Sequence, residues 1–203
     1  MSNEYKILYN SDTLVLSFAS MGKLIDNHKV QFEFVNYLTT HYKNKADLYF
    51  FMDPEKVWYH NGIPGITSSI SETTTYLKNI ISKGNYKKVI CMGVSSGGYA
   101  AILFGSLCKA TAVIAFTPQT KLTKFINLRY KDLINFIHSG TKYFLYGNTS
   151  IKNQNNCHHF SHCHRLRKFK NITIFEPKLF STKNIRDNGE LTRILNTIMI
   201  EMN

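Results

Sequence analysis

Gly93-Val94-Ser95-Ser96-Gly97 sets one serine between two glycines, each two residues away. Lys88-Val89-Ile90-Cys91-Met92 before it reads as a buried strand, and Tyr99-Ala100-Ala101-Ile102-Leu103-Phe104-Gly105 after it reads as a helix of small and apolar residues. In a strand–turn–helix context, this spacing forces a tight turn that exposes the serine oxygen. The glycines let strand and helix pass closely. Ser95 is therefore the candidate nucleophile toward an acyl carbonyl. The Ser96 amide, at a helix N-terminus, is one candidate oxyanion donor. The loop after residues 14–18 holds Ala19 and Ser20, candidates for the second.

A second cluster is Cys157-His158-His159-Phe160-Ser161-His162-Cys163-His164. On a helix His158 and His162 share a face, as do His159 and Cys163. Two such ligands make half of a tetrahedral zinc site, with Cys157, His158, His162 and Cys163 as the donor set. The spacing matches no standard finger, so the same residues also read as a polar surface segment or as the source of a catalytic imidazole. Trp58, Tyr59, His60 and Tyr99 are candidates to line a substrate cleft, with core packing as the competing reading. Asp53 reads as a turn or cap residue before Pro54.

Seven short runs must carry these groups: 6–9, 14–18, 48–51, 88–92, 112–116, 142–146 and 172–175. They are rich in β-branched and aromatic residues and bounded by turn residues. Helical patterns fall between them. Phe32, Val35 and Leu38 mark one face. Ile70, Leu77, Ile80 and Ile81 mark another, opened by the capping box Ser69-x-x-Glu72. A third helix runs from Ser96 to Leu107, and a last one starts near Asn188 with Leu191, Ile194, Leu195 and Ile198. Alternating strands and helices predict an α/β architecture, a doubly wound, mainly parallel sheet covered on both faces. Sites in such sheets lie at the carboxyl ends of the strands.

The 203 residues suit one domain, residues 1–203. Hydrophobic residues make up 43% and charged residues 19%, which excludes global disorder. The N-terminus lacks the regions of a signal peptide, and no apolar run reaches the ~20 residues of a membrane span. A cytoplasmic protein is expected. The net charge of +12 raises a nucleic-acid reading. It is set aside, because Lys, Asn, Ile and Tyr are abundant together, the mark of an AT-rich genome, and the only dense basic run is Arg165-Leu166-Arg167-Lys168-Phe169-Lys170. No disulfide framework is indicated.

The chain resembles small α/β-hydrolase-like proteins of bacterial capsule and surface-glycan synthesis, some of them polysaccharide O-acetyltransferases or acyl esterases. The matching segments are Trp58-Tyr59-His60-Asn61-Gly62-Ile63-Pro64-Gly65, the elbow through Gly105, Ala115-Phe116-Thr117-Pro118-Gln119-Thr120, and Ile185-Arg186-Asp187-Asn188-Gly189-Glu190-Leu191. The resemblance implies an α/β-hydrolase fold without a large lid domain. It also implies a Ser–His–Asp triad, with the Asp after the strand at 142–146 and the His after the strand at 172–175. This sequence departs from the pattern at both places. No Asp or Glu follows Tyr146 before His159, which falls at the acid's position, and no His exists beyond residue 164. The base's position falls near Leu179.

Three readings follow. In the first the triad is rewired, with a histidine from 158, 159, 162 or 164 as base (His159 the preferred candidate, His60 a further one) and Glu176 as acid. In the second the protein is a degenerate hydrolase that acts as a glycan-pathway binding or scaffold protein. In the third the Cys/His cluster holds a metal. The first is taken forward: a serine-dependent acyl-ester hydrolase or acyltransferase, needing no cofactor and no metal. Its partner would be a small acyl ester or glycan.

Overall fold

The computed structural model describes residues 2–21, 32–123, 128–177 and 180–201. Seven strands form one sheet: β1 (Glu4–Ile7), β2 (Thr13–Phe18), β3 (Asp47–Phe51), β4 (Lys88–Val94), β5 (Ala112–Phe116), β6 (Lys142–Tyr146) and β7 (Ile172–Phe175). Their order is β1-β3-β2-β4-β5-β6-β7. Only β1 runs antiparallel, at the edge, with Glu4 opposite Phe51. The sequence places this strand at 6–9, and it ends earlier for a local reason. The Asp47 carboxylate accepts the Tyr9 amide at 2.6 Å and the Ser11 amide at 3.2 Å, which takes the chain off the ladder.

The helices are α1 (Val35–His41), α2 (Ile70–Lys83), α3 (Ser96–Leu107), α4 (Ser161–His164), α5 (Thr182–Asp187) and α6 (Glu190–Glu201). Side chains alternate across each strand, and the two faces feed two separate cores. Leu14, Leu16, Cys91, Val113 and Ala115 pack with Ile70 and Leu77 of α2 and with α3. Val15, Ile90, Met92, Ala112 and Ile114 pack with Leu38 of α1, Ile185 of α5 and Leu191, Ile194, Leu195 and Ile198 of α6. This is the doubly wound sheet that the alternating pattern predicts.

The Ser69 hydroxyl caps α2 by accepting the Glu72 amide. The Glu72 carboxylate reaches back to the amide of Ser68, one residue earlier than a standard box requires. Short elements were the hard ones to foresee: α4 and α5 have 4 and 6 residues, too few for a helical period to show. No large lid domain is found among the described residues, and none of their helices is long and apolar enough to cross a membrane.

Candidate active site

The elbow follows from backbone sterics. β4 enters between β2 and β5, and α3 leaves directly beneath. A Cβ at Gly97 would lie 2.0 Å from the Phe18 carbonyl oxygen, and one at Gly93 would lie 2.4 Å from the Gly97 backbone. Only glycine fits either place. Ser95 between them takes φ 54° and ψ −115°, a conformation that costs a non-glycine residue about 1–3 kcal/mol. Its amide donates to the Phe116 carbonyl and its carbonyl accepts the Tyr99 amide, both at 2.9 Å, so the strain is held from two sides. Its side chain is left at the carboxyl end of the sheet.

Ser95 Oγ lies 2.7 Å from His158 Nε2. His158 comes from the loop between β6 and α4. Its amide donates to the Asn156 side-chain oxygen at 2.9 Å, an Asx turn that sets where the ring starts. Burial pushes the His158 pKa below the ordinary imidazole range, so the ring is neutral near pH 7. A neutral ring with a free Nε2 lone pair can take the hydroxyl proton. Among the described residues no carboxylate bonds to His158, so what they bring together is a Ser–His pair.

The two other triad candidates lie elsewhere. His159 turns inward: its Nδ1 bonds the Ser161 hydroxyl at 2.9 Å and accepts the Ser161 amide at 3.2 Å, and its ring is buried. It lies beside Asn148 of the preceding turn and serves to fold the loop. Glu176 pairs with His164 in a half-exposed contact and makes no bond to His158. Leu179 lies outside the described residues.

The two candidates for the second oxyanion donor differ. The Ala19 amide is committed to the Phe51 carbonyl at 2.9 Å, where it continues the sheet ladder. The Ser20 hydroxyl donates to the Glu33 carboxylate, whose pKa burial raises. The Met21 amide donates to Ser96 Oγ at 3.0 Å. The Ser96 amide heads α3, where helical amides have no partner of their own.

A cleft of about 1160 Å³ opens over this pair. Ser20, Met21 and Val94 line it on one side, and Gln154, Asn155, Cys157, His158 and His162 on the other. Trp58 lines it as expected and donates through Nε1 to Gln119 Oε1. Trp58, Ser95 and Thr117 all hold positive φ angles, so backbone strain gathers at the cleft.

Tyr59, His60 and Tyr99 belong to the core instead. Tyr59 is fully buried and donates to the Ala19 and Phe51 carbonyls. His60 Nε2 bonds the Tyr99 hydroxyl at 2.9 Å, and that hydroxyl donates to the Tyr130 carbonyl. Burial lowers the His60 pKa to about 4. A polar chain inside the core accounts for these residues, and their aromatic character alone could not reveal it. Asp53 is a turn residue, accepting the Val57 and Tyr59 amides at 2.8 and 2.9 Å.

The Cys/His cluster does not converge. Among the described residues no group of three or more His, Cys, Asp or Glu side chains has a geometry that could hold a metal. Cys163 is buried under Gly147, while Cys157 is exposed, so the two thiols serve opposite sides of the chain.

No protein-family model matches the sequence, and no curated protein matches it. Solved structures do. The capsule O-acetyltransferase of Neisseria meningitidis serogroup A, in complex with CoA, matches with a TM-score of 0.62 at 15% identity, covering 93% of this chain and 87% of that one. A Pyrococcus furiosus esterase matches with a TM-score of 0.63 at 12% identity, covering 98% and 85%. A monoacylglycerol lipase of Paleococcus ferrophilus matches with a TM-score of 0.61 at 13% identity over 100% of both chains. With the strand order and elbow above, these likenesses establish the α/β-hydrolase fold.

Proposed function

We propose that the protein is a serine-dependent acyl-ester hydrolase or acyltransferase acting on a small acyl group, and that the acyl group is carried by a carbohydrate. The observation that carries this reading is the 2.7 Å contact between Ser95 Oγ and His158 Nε2 at the floor of an open cleft. Ser95 attacks the acyl carbonyl as His158 Nε2 takes its proton. The carbonyl oxygen becomes an oxyanion beside the Ser96 amide and the N-terminus of α3. His158 then returns the proton to the leaving oxygen, and the acyl group rests on Ser95. Water or an acceptor hydroxyl attacks next, losing its proton to His158, and the bond from the acyl carbon to Ser95 Oγ breaks as His158 returns that proton to Oγ.

The Asn156 turn and burial within the loop help to fix the imidazole. The carbohydrate part of the reading rests on the sequence resemblance and on the polar groups Gln119, Gln154, Asn155 and Ser161, which line the cleft beside Lys121 and Arg165. A fluorophosphonate probe and p-nitrophenyl acetate test the reading. Native protein should label and turn over, and Ser95→Ala should do neither. Absence of labelling in the folded native protein at every pH from mildly acidic to basic would leave the binding-protein reading in its place.

A further inference from the structure

The cleft holds a second imidazole that the acyl-transfer steps do not use. His162 lines the same cleft as His158, four residues further along the chain. Its main chain is anchored: the Thr120 hydroxyl donates to its carbonyl at 2.6 Å, and its amide donates to the His159 carbonyl at 3.1 Å. Three residues on, Arg165 bonds Asp132 through both guanidinium nitrogens and also donates to the Thr120 carbonyl, fixing α4 against the β5 loop. These bonds fix the main chain from which the His162 ring enters the cleft wall.

The ring nitrogens differ. His162 Nδ1 is buried and has no hydrogen-bond partner among the described residues. A neutral imidazole carries one N–H. Placed on Nδ1, that hydrogen would be a donor sealed away from any acceptor, the costlier arrangement. Placed on Nε2, it belongs to the nitrogen left to meet a ligand. Burial and the neighbouring Arg165 push the His162 pKa down to about 4, so the ring stays neutral at working pH. A neutral donor suits a hydroxyl, ether or ester oxygen, and it does not compete with His158 for a proton.

We infer that His162 is a specificity residue that donates its Nε2 hydrogen to a hydroxyl oxygen of the alcohol half of the ester, beside the oxygen that leaves in one direction and attacks in the other. This rests on the acyl-ester reading above and assigns that reading's preference for a polyhydroxylated alcohol to a named side chain. Gln119 and Asn155, on the same cleft, can serve further oxygens of such a group.

The test compares two esters, an acetylated methyl glucoside and p-nitrophenyl acetate, whose leaving group has no hydroxyl neighbours. The readout is the ratio of their kcat/KM values. Loss of one neutral hydrogen bond predicts that His162→Phe lowers this ratio about ten-fold. His162→Gln, which keeps an N–H near Nε2, should recover most of it, a rescue that a merely structural role would not give. A ratio within two-fold of native in folded His162→Phe overturns the inference. So does native protein that cleaves the nitrophenyl ester but ignores the sugar ester. Native protein that neither labels at Ser95 nor cleaves either ester overturns the underlying reading, which separates the two failures.

Discussion

The elbow and the loop that carries His158 stand at the same edge of the sheet but are built by different means. The elbow is fixed by what is absent. Gly93 and Gly97 leave no room for a Cβ, and main-chain hydrogen bonds to Phe116 and Tyr99 hold Ser95 in its strained conformation. The loop is fixed by side chains. Asn148 accepts the Ser150 amide, Asn153 the Asn155 amide and Asn156 the His158 amide, a series of Asx turns between β6 and α4. The lesson is that a nucleophile position can be dictated by sterics, whereas a base can be supplied by any loop with the means to fold over it. Here the loop that the resemblance assigns to the acid delivers the imidazole.

Substitutions can break this contrast. The largest effect on stability should come from Gly97→Ala, since a Cβ 2.0 Å from a main-chain oxygen cannot be relieved by a side-chain rotation. Overpacking of this kind costs about 3 kcal/mol, or roughly 6–12 °C in Tm for a chain of this size, and thermal unfolding would show it. His158→Ala should leave Tm nearly unchanged but lower kcat/KM for p-nitrophenyl acetate by about 10²–10⁴, the usual worth of a general base. Asn156→Ala removes only the turn that starts the ring. A loss of roughly ten-fold in kcat with little change in KM is expected, because a displaced base weakens the transition state more than binding.

The pH profile should show the same division. His158 must be unprotonated to act, so activity is lost as pH falls through its pKa. Burial lowers that pKa, which puts the fall below the ordinary imidazole value of about 6.5. An acid limb at or above that value would contradict the buried setting. The smallest effect belongs to Glu176→Gln, which should change kcat/KM less than two-fold, since its partner is His164.

The sequence made the sheet legible because each strand is a short apolar run and the helices between them are amphipathic. β5, β6 and β7 fall at the expected residues, β2, β3 and β4 differ by one or two residues at one end, and β1 is shifted as a whole by two. The first slipped because Asp47, distant in sequence, captures the Tyr9 amide. Ser95 was legible because glycine spacing encodes a steric demand. The base was not: four histidines crowd residues 158–164, and choosing among them depends on which rings the turns point inward. His159 is drawn to Ser161, His164 to Glu176, and His158 is left facing Ser95. Tyr59, His60 and Tyr99 show the same limit. Their chemistry suits a cleft, and only the closing hydrogen bonds to Ala19, Phe51 and Tyr130 reveal a core.

The central claim is that His158, and no other histidine of the cluster, activates Ser95. The most direct measurement is the rate of fluorophosphonate labelling in the native protein and in Ser95→Ala, His158→Ala and His159→Ala, each first shown to be folded by circular dichroism. The account predicts labelling on Ser95 in the native protein and in His159→Ala, and none above background in Ser95→Ala or His158→Ala. Labelling that persists at the native rate in His158→Ala, or that disappears in folded His159→Ala, would contradict it.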